Sequence, residues 1–156
     1  MIIYYSYTKN TEKYAKELSA ALNDTVFELK EKNPRKGFFG FISGCYQAIA
    51  KKEVETESLP DISGDERIYV CTPIWAGGMA PAVRTFLNRT DLKDKETNVL
   101  ITCRSAADMD NYKTAVLSEF EKSGAKPGRA LGFVSSSKQP ADAETIRELL
   151  SAMLEK

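Results

Sequence analysis

Five short apolar segments alternate with segments of helical periodicity, and this alternation constrains the fold more than any other feature of the sequence. Apolar and aromatic residues dominate the short segments, as they do in strands that are buried on both faces of a sheet. The alternation therefore predicts five strands, at Ile2–Tyr7, Thr25–Leu29, Arg67–Cys71, Val99–Cys103 and Ala130–Val134.

Between these strands, apolar residues recur three or four positions apart, which predicts amphipathic helices. Gly124 is predicted to end the fourth helix at its C′ position, and a polar connection from Glu53 to Glu66 precedes the third strand. We predict that every helix, including the second at Phe38–Ala50, packs its apolar face on the sheet. The predicted faces are Tyr14, Ala15, Leu18, Ala21 and Leu22; Phe38, Phe41, Ile42, Cys45, Tyr46 and Ile49; Val83, Phe86 and Leu87; Met109, Tyr112, Val116 and Phe120; and Ile146, Leu149, Leu150, Met153 and Leu154.

Strands and helices in strict succession predict an α/β protein with a doubly wound, five-stranded parallel sheet in three α-β-α layers. No repeat, low-complexity tract or linker divides the chain, so we expect one domain over residues 1–156. Ligands of such folds bind beyond the carboxyl ends of the strands, at the point where the strand order reverses. The loops after the first, third and fourth strands are therefore the candidate site.

Composition excludes several classes of function. The 22 basic residues balance 22 acidic residues, which disfavours a nucleic-acid-binding protein, and no apolar run is long enough to span a membrane. The start of the sequence lacks the features of a signal peptide, so we expect a cytoplasmic protein. Cys45, Cys71 and Cys103 are too widely spaced for a disulfide framework or a zinc site. Because the chain has no histidine, histidine-based catalysis is excluded and redox chemistry would need a cofactor.

The loop after the first strand, Ser6-Tyr7-Thr8-Lys9-Asn10-Thr11, has four hydrogen-bonding side chains at the start of a helix. Together with free backbone N–H groups and the helix dipole, these side chains can surround a phosphate group. The same residue types also favour a simple helix cap and turn. Because the loop is rich in hydroxyl groups rather than glycine, it fits a terminal monophosphate better than a pyrophosphate.

The loop after the third strand, Thr72 to Pro81, contains the only tryptophan of the chain. Trp75 can stack on a flat heteroaromatic ring, and the glycines at 77 and 78 allow the backbone to approach the polar edge of such a ring. Alternatively, Trp75 covers the edge of the core. The loop after the fourth strand, Thr102 to Asp108, is the third candidate segment.

These segments resemble those of the flavodoxin family. Ser6 to Thr11 is similar to the flavodoxin phosphate loop [ST]-x-T-G-N-T, except that Lys9 replaces the usual glycine. A positive φ angle at Lys9 would cost about 1 kcal/mol, whereas with an ordinary φ its ammonium group could help to neutralise a phosphate. Further matches to the P-x-W-x-G segment and the helix after it are Pro73, Trp75, Gly77, Pro81, Phe86 and Leu87.

The resemblance implies that the cofactor is flavin mononucleotide (FMN). It further implies backbone contacts to the pyrimidine edge from the fourth-strand loop, and Tyr112 is either a second aromatic wall or a core residue. Arg104 either faces the N1–O2 edge of the flavin or is a solvated charge, and the Gly77 carbonyl is predicted to accept a hydrogen bond from N5–H. The predicted cofactor-binding residues are Ser6, Tyr7, Thr8, Lys9, Asn10, Thr11, Pro73, Ile74, Trp75, Ala76, Gly77, Cys103, Arg104, Ser105 and Tyr112.

The function implied by the resemblance is one-electron transfer between redox partner proteins, by a monomer or weak dimer that binds neither nucleic acid nor membranes. One alternative is an NAD(P)H-dependent reductase of quinones or free flavin, and another is a flavodoxin-like module without bound flavin. Six basic residues bracket the second helix, and Glu31 is the only acidic residue between positions 30 and 52; the six are Lys30, Lys32, Arg35, Lys36, Lys51 and Lys52. Lys36, Lys51 and Lys52 therefore either form the solvated rim of a helix or dock an acidic redox partner.

Overall fold

The computed structural model describes residues 1–135 and residue 151. The strands are β1 (Ile2–Tyr4), β2 (Val26–Glu28), β3 (Arg67–Trp75), β4 (Gly78–Met79), β5 (Glu96–Cys103) and β6 (Lys126–Val134). The helices are α1 (Asn10–Leu22), α2 (Gly37–Ile49), α3 (Pro81–Arg89) and α4 (Met109–Lys122). The predicted last helix, with Ile146, Leu149, Leu150, Met153 and Leu154, lies outside the described residues. No helix in the described part of the chain is long and apolar enough to cross a membrane.

The main strands form a parallel sheet in the order β2-β1-β3-β5-β6. The chain first proceeds to one edge of the sheet and then returns past β1 to the other edge, so that the strand order reverses between β1 and β3. The prediction of a doubly wound α/β sheet is therefore confirmed. The short strand β4 is additional, and it pairs antiparallel with the end of β3.

Side chains alternate between two cores, one on each face of the sheet. Ile3, Val70 and Ile101 pack with α2, α3 and α4, whereas Tyr4 and Leu100 pack with α1 on the opposite face. The alternation follows from the two-residue period of a strand. Since both faces are covered, the central strands are apolar at nearly every position, which is the pattern that the sequence shows.

Strand ends differ from the predicted bounds. β1 ends at Tyr4 rather than Tyr7, while β3 continues from Cys71 to Trp75. This continuation has two partners: Thr72 and Pro73 stay in register with β5, and Trp75 pairs with Gly78 of β4. The pairing with β5 joins residues that are remote in sequence, which local sequence patterns do not reveal, whereas the pairing with β4 is a local hairpin contact.

The orientation of α2 is opposite to the prediction. Its large apolar side chains point outward: the exposed fractions are 71% for Phe38, 85% for Phe39, 46% for Ile42, 61% for Tyr46 and 63% for Ile49. Only Phe41 and Cys45 of the predicted face pack against the core. The buried positions of this helix are Gly44 and Ala48. Small residues allow α2 to lie close to the β3–β4 hairpin, and no room remains there for large side chains.

The end of α4 agrees with the prediction. Gly124 has a φ angle of +94°, which is the left-handed conformation that favours glycine at C′. The Gly124 N–H donates to the Glu121 carbonyl and the Ala125 N–H donates to the Phe120 carbonyl. These two hydrogen bonds form a Schellman motif, which satisfies the last carbonyls of the helix.

Candidate functional site

A cavity of about 750 Å³ opens at the carboxyl edge of the sheet, beside the point of strand reversal. Every predicted site residue except Ser6 and Lys9 lines it, so the structure brings the three candidate loops together. Three further residues, Phe41, Thr102 and Ser135, complete the wall. The volume falls in the range of about 300 to 1,000 Å³ that is typical of small-molecule sites.

The loop between β1 and α1 forms one end of the cavity. Thr8 and Asn10 line this end, and their side chains make no hydrogen bond or ion pair with a described residue. Thr11 shares a 2.8 Å hydrogen bond with Thr102, the two hydroxyl oxygens being buried beneath the loop. The buried Ser6 hydroxyl has no partner among the described residues. This end therefore has several polar groups to offer to a ligand.

Lys9 occupies the N-cap of α1 with a φ angle of 66°, the left-handed conformation. Its ammonium nitrogen lies 2.8 Å from a Glu12 carboxylate oxygen and 3.8 Å from a Glu28 oxygen, and the side chain is 70% exposed. Hydrogen bonds from Lys16 and Lys9 hold the pKa of Glu12 below its ordinary value. Of the two alternatives for Lys9, the structure therefore shows the positive φ angle. Its ammonium group neutralises nearby carboxylates outside the cavity.

The β3–β4 hairpin forms the second wall. Ala76 and Gly77 connect its strands with φ angles of 47° and 88°, the positive values that a tight two-residue hairpin requires. The Thr72 hydroxyl accepts a 3.2 Å hydrogen bond from the Ala80 N–H and donates to the Pro73 carbonyl. This link closes the base of the hairpin, which holds the Gly77 backbone at the cavity wall.

Trp75 lines the cavity but is only 5% exposed. The rings of Tyr5, Tyr7 and Phe41 contact it edge-on, with centroid distances of 5.6, 5.8 and 5.7 Å. A Cβ atom at Gly44 would lie 2.5 Å from the Trp75 ring, so α2 packs directly on the indole. Of the two sequence alternatives, the structure places Trp75 in the packed edge of the core, with a small part of its surface at the cavity.

Phe41 was missed as a site residue because its helical spacing with Phe38, Ile42 and Cys45 predicts a face that packs on the sheet. Its ring stacks on Tyr7 at 6.2 Å with an interplanar angle of 26°. The Tyr7 hydroxyl also donates to the Gly37 carbonyl at 2.9 Å, so the first loop is bonded to the start of α2. The three small residues Gly40, Gly44 and Ala48, spaced four apart, were the signal that this side of α2 approaches the sheet.

The loop after β5 forms the third wall. The Cys103 thiol donates to the Ser105 carbonyl at 2.8 Å, and burial raises its pKa, so the thiol stays protonated. Thr102 and Ser135 were not among the predicted residues. Both are at strand ends, and the Ser135 N–H donates to the Cys103 carbonyl, which joins the end of β6 to this wall. Parallel strands end at one edge of a sheet, and this relation is the signal that would have included Ser135.

Arg104 is the one charged residue of the described cavity wall. Its guanidinium carbon lies 5.7 Å from the Phe41 ring centroid, and it makes no ion pair within the described chain. Tyr112 lines the cavity nearby, with its hydroxyl 3.5 Å from an Asp108 oxygen. With one arginine and no carboxylate, the wall favours a negatively charged ligand. Across the described residues, no group of three or more potential ligands could hold a metal ion.

Neither a protein-family model nor a curated protein matches the sequence. Solved structures do match over almost the whole chain. A Bacteroides eggerthii protein, provisionally assigned as a flavoprotein, has a TM-score of 0.78 at 18% identity, covering 99% of this chain and 97% of its own. A Lactobacillus acidophilus flavoprotein in complex with FMN has a TM-score of 0.66 at 20% identity, with 84% and 90% covered. Oxidised flavodoxin 1 of Bacillus cereus has a TM-score of 0.57 at 16% identity, with 98% and 95% covered. The chain thus has the flavodoxin-like fold.

Proposed function

We propose that this flavodoxin-like chain binds FMN in the cavity at the carboxyl edge of its sheet and carries single electrons between redox partner proteins. The observation that carries the proposal is the convergence of three loops on one cavity with unpartnered polar groups at one end and aromatic walls beside them. A neighbour of the same fold is a complex with FMN, which supports the choice of ligand.

The polar end of the cavity suits the phosphate of FMN. Thr8 and Asn10 have no competing hydrogen bonds with described residues, and the cavity is also lined by Asn10 and Thr11, the first two residues of α1, whose backbone N–H groups have no partner within the helix. The Ser6 hydroxyl belongs to the same loop and is buried without a partner among the described residues, but Ser6 does not line the cavity. Arg104 adds the positive charge that the wall otherwise lacks.

The aromatic and backbone walls suit the isoalloxazine ring. Phe41 and Tyr112 present half-buried rings to the cavity, and the hairpin offers the peptide groups of residues 76 and 77. A Cβ atom at Gly77 would approach only Tyr112, at 3.8 Å, so the backbone there is open to close contact. Bound FMN would supply the redox chemistry, while these residues orient the ring and tune its potential. Because its pKa is raised, the Cys103 thiol stays protonated. It therefore contributes to packing and does not act as a nucleophile.

FMN titration tests the binding site. In the double variant Thr8→Ala, Asn10→Ala, the affinity for FMN should fall by about a hundredfold or more, because two charge-assisted hydrogen bonds are lost and each contributes about 1.5 to 3 kcal/mol. The affinity for riboflavin, which lacks the phosphate, should stay unchanged. Quenching of Trp75 fluorescence reports both ligands. Thr114→Ala, at an exposed position of α4, is the matched control. Equal losses for both ligands, or no binding of FMN by the wild type, would refute the phosphate assignment.

The same loaded protein distinguishes an electron carrier from a reductase. After stopped-flow mixing with NADH, a carrier should keep its flavin absorbance until a separate reductase is added. Rapid direct bleaching would establish the NAD(P)H-dependent reductase instead. A purified chain that binds no flavin would establish the module without a cofactor.

A further inference from the structure

The outer face of α2 is a feature of the described surface that the proposed cavity leaves unexplained. It consists of Phe38, Phe39, Ile42, Tyr46 and Ile49, all exposed. Successive residues of an α-helix are 100° apart, so these five side chains share an arc of about 100° on one side of the helix. Contiguous apolar surface of this kind is rare on monomeric proteins and marks interaction sites.

The fold itself does not require these side chains. α2 is held by its opposite side, where Gly44 contacts Trp75 and the Gly78 α-carbon lies against the Ala48 backbone. Burying the large side chains would need the helix to rotate and lose this close approach. The outer face is therefore free to serve a partner without any cost to the packing of the core.

The outer face is continuous with the cavity. On the helix, Cys45 and Phe41 lie between the outer face and the buried glycine side, and Phe41 is itself a cavity residue. A partner that covers the outer face would therefore contact the mouth of the cavity. This placement is what electron transfer requires, since the partner must bring its own redox centre close to the flavin.

The charged residues of α2 and of the segments directly before and after it are all basic. Lys36 precedes α2 and Lys51 and Lys52 follow it, with no aspartate or glutamate between residues 34 and 52. Lys51 lies 3.4 Å from Glu119, and the Lys52 ammonium group lies 5.2 Å from the Tyr46 ring centroid. The complementary surface is thus apolar at its centre and acidic at its rim.

We propose that the outer face of α2 docks a protein redox partner whose matching surface has an apolar centre and an acidic rim. The proposal rests on the proposed electron-transfer function. A second copy of the chain fits less well, because lysines at both ends of α2 would meet lysines in either relative orientation. An anionic membrane also fits less well, because three flanking lysines are fewer than the roughly four to eight basic residues of lipid-binding clusters.

Electron transfer from a defined acidic protein tests the proposal. The probe is a reduced acidic [2Fe–2S] ferredoxin, and the measurement is the second-order rate constant for reduction of the FMN-loaded protein in the stopped-flow instrument. The triple variant Lys36→Glu, Lys51→Glu, Lys52→Glu should be reduced about tenfold more slowly at low ionic strength, and its rate should lose its salt dependence. The triple variant Phe38→Ser, Phe39→Ser, Ile42→Ser should lose about tenfold at every ionic strength.

Matched controls separate docking from charge and from cofactor binding. Lys93→Glu, Lys122→Glu, Lys126→Glu makes the same change of charge at the amino-terminal edge of the sheet, away from the cavity, and should leave the rate within about twofold. In every variant, the rate of reduction by dithionite and the affinity for FMN should equal those of the wild type. A wild type that binds no FMN would defeat the proposed function before any ferredoxin is added.

Three outcomes would overturn the proposal. The first is equal ferredoxin rates in the wild type and both α2 variants, or no reduction of the loaded wild type. The second is a stable dimer in analytical ultracentrifugation that the apolar triple variant dissociates, which would assign the outer face to a second copy. The third is sedimentation with vesicles of phosphatidylserine and phosphatidylcholine that the same variant abolishes, which would assign it to a membrane surface.

Discussion

At the scale of single residues, Lys9 shows why a short motif can tolerate one unusual member. Its φ angle of 66° is costly for any residue with a Cβ atom, by about 1 to 2 kcal/mol. Its ammonium group, however, lies between Glu12 and Glu28 beside the start of α1. Lysine thus balances two carboxylates near the proposed phosphate site, an electrostatic role that glycine could not have.

The strain at this position can be measured. Lys9→Gly should be more stable than Lys9→Ala by about 1 kcal/mol, since both lose the exposed ion pair with Glu12 and only glycine relieves the left-handed backbone. The greater freedom of glycine in the unfolded chain offsets part of the gain. Urea denaturation of both variants gives the difference in free energy of unfolding. If Lys9→Ala were as stable as Lys9→Gly, the positive φ angle at this position would have no measurable cost, which would contradict the prediction.

Trp75 illustrates what the sequence could predict of the site and what it could not. Three loops and most of the cavity wall follow from strand order and residue type, because parallel strands bring their carboxyl ends to one edge. Whether the indole faces the cavity or the core depends on α2, which is remote in sequence and packs on it through Gly44. Local patterns contain no information on that contact.

At the scale of elements, short continuous apolar segments predicted the strands better than the helical period predicted the orientation of α2. A buried strand is apolar on both sides, so its position in the sheet is readable from composition. An amphipathic helix has one apolar side, and the usual inference is that this side is buried. In α2 the inference is wrong, because the buried side is defined by close approach at Gly44 and Ala48 rather than by apolar volume.

The fit between α2 and the hairpin is testable at Gly44. A Cβ atom there would meet the Trp75 ring at 2.5 and 2.8 Å, so Gly44→Ala must displace either the helix or the indole. We expect a net loss of about 1 to 2 kcal/mol, because overpacking costs more than the better helix propensity of alanine returns.

Fluorescence locates the effect of that substitution. The Trp75 emission of Gly44→Ala should shift to longer wavelength, as the indole becomes more exposed. Gly64→Ala, where an added Cβ atom has nothing within 4 Å, should change stability by less than about 0.5 kcal/mol and leave the emission unchanged. Unchanged emission together with wild-type stability in Gly44→Ala would contradict the tight packing.

At the scale of the whole molecule, one carboxylate joins three helices on the same side of the sheet. Glu119 of α4 pairs with the buried Arg84 of α3, and Lys51 after α2 lies 3.4 Å from it. Burial alone would raise the pKa of Glu119, but the hydrogen bonds and charges of Arg84 and Lys51 lower it below its ordinary value of 4.5. The folded protein therefore favours the ionised carboxylate more than the unfolded chain does.

This linkage predicts how stability depends on pH. The contribution of Glu119 should be present in full above pH 4.5 and should disappear as the pH falls through the lowered pKa. Glu119→Gln, which leaves Arg84 buried without a charged partner, should lose about 2 kcal/mol at neutral pH, less than a fully buried pair because Glu119 is partly exposed. Urea denaturation of the wild type and of Glu119→Gln gives their free energies of unfolding near pH 7 and near pH 3. The difference between the two proteins should be smaller at pH 3. A larger difference at pH 3 than at pH 7 would contradict the lowered pKa of Glu119 in the folded protein.

The outward orientation of the apolar side chains of α2 also affects the solubility of the protein. Five exposed apolar side chains in a row would promote association in concentrated solution if nothing opposed it. The lysines at each end of the helix oppose this association, because the lysines of two approaching molecules repel each other. Salt screens that repulsion and weakens it. The surface that would recognise a partner thus also sets a limit on solubility, and this limit falls as ionic strength rises.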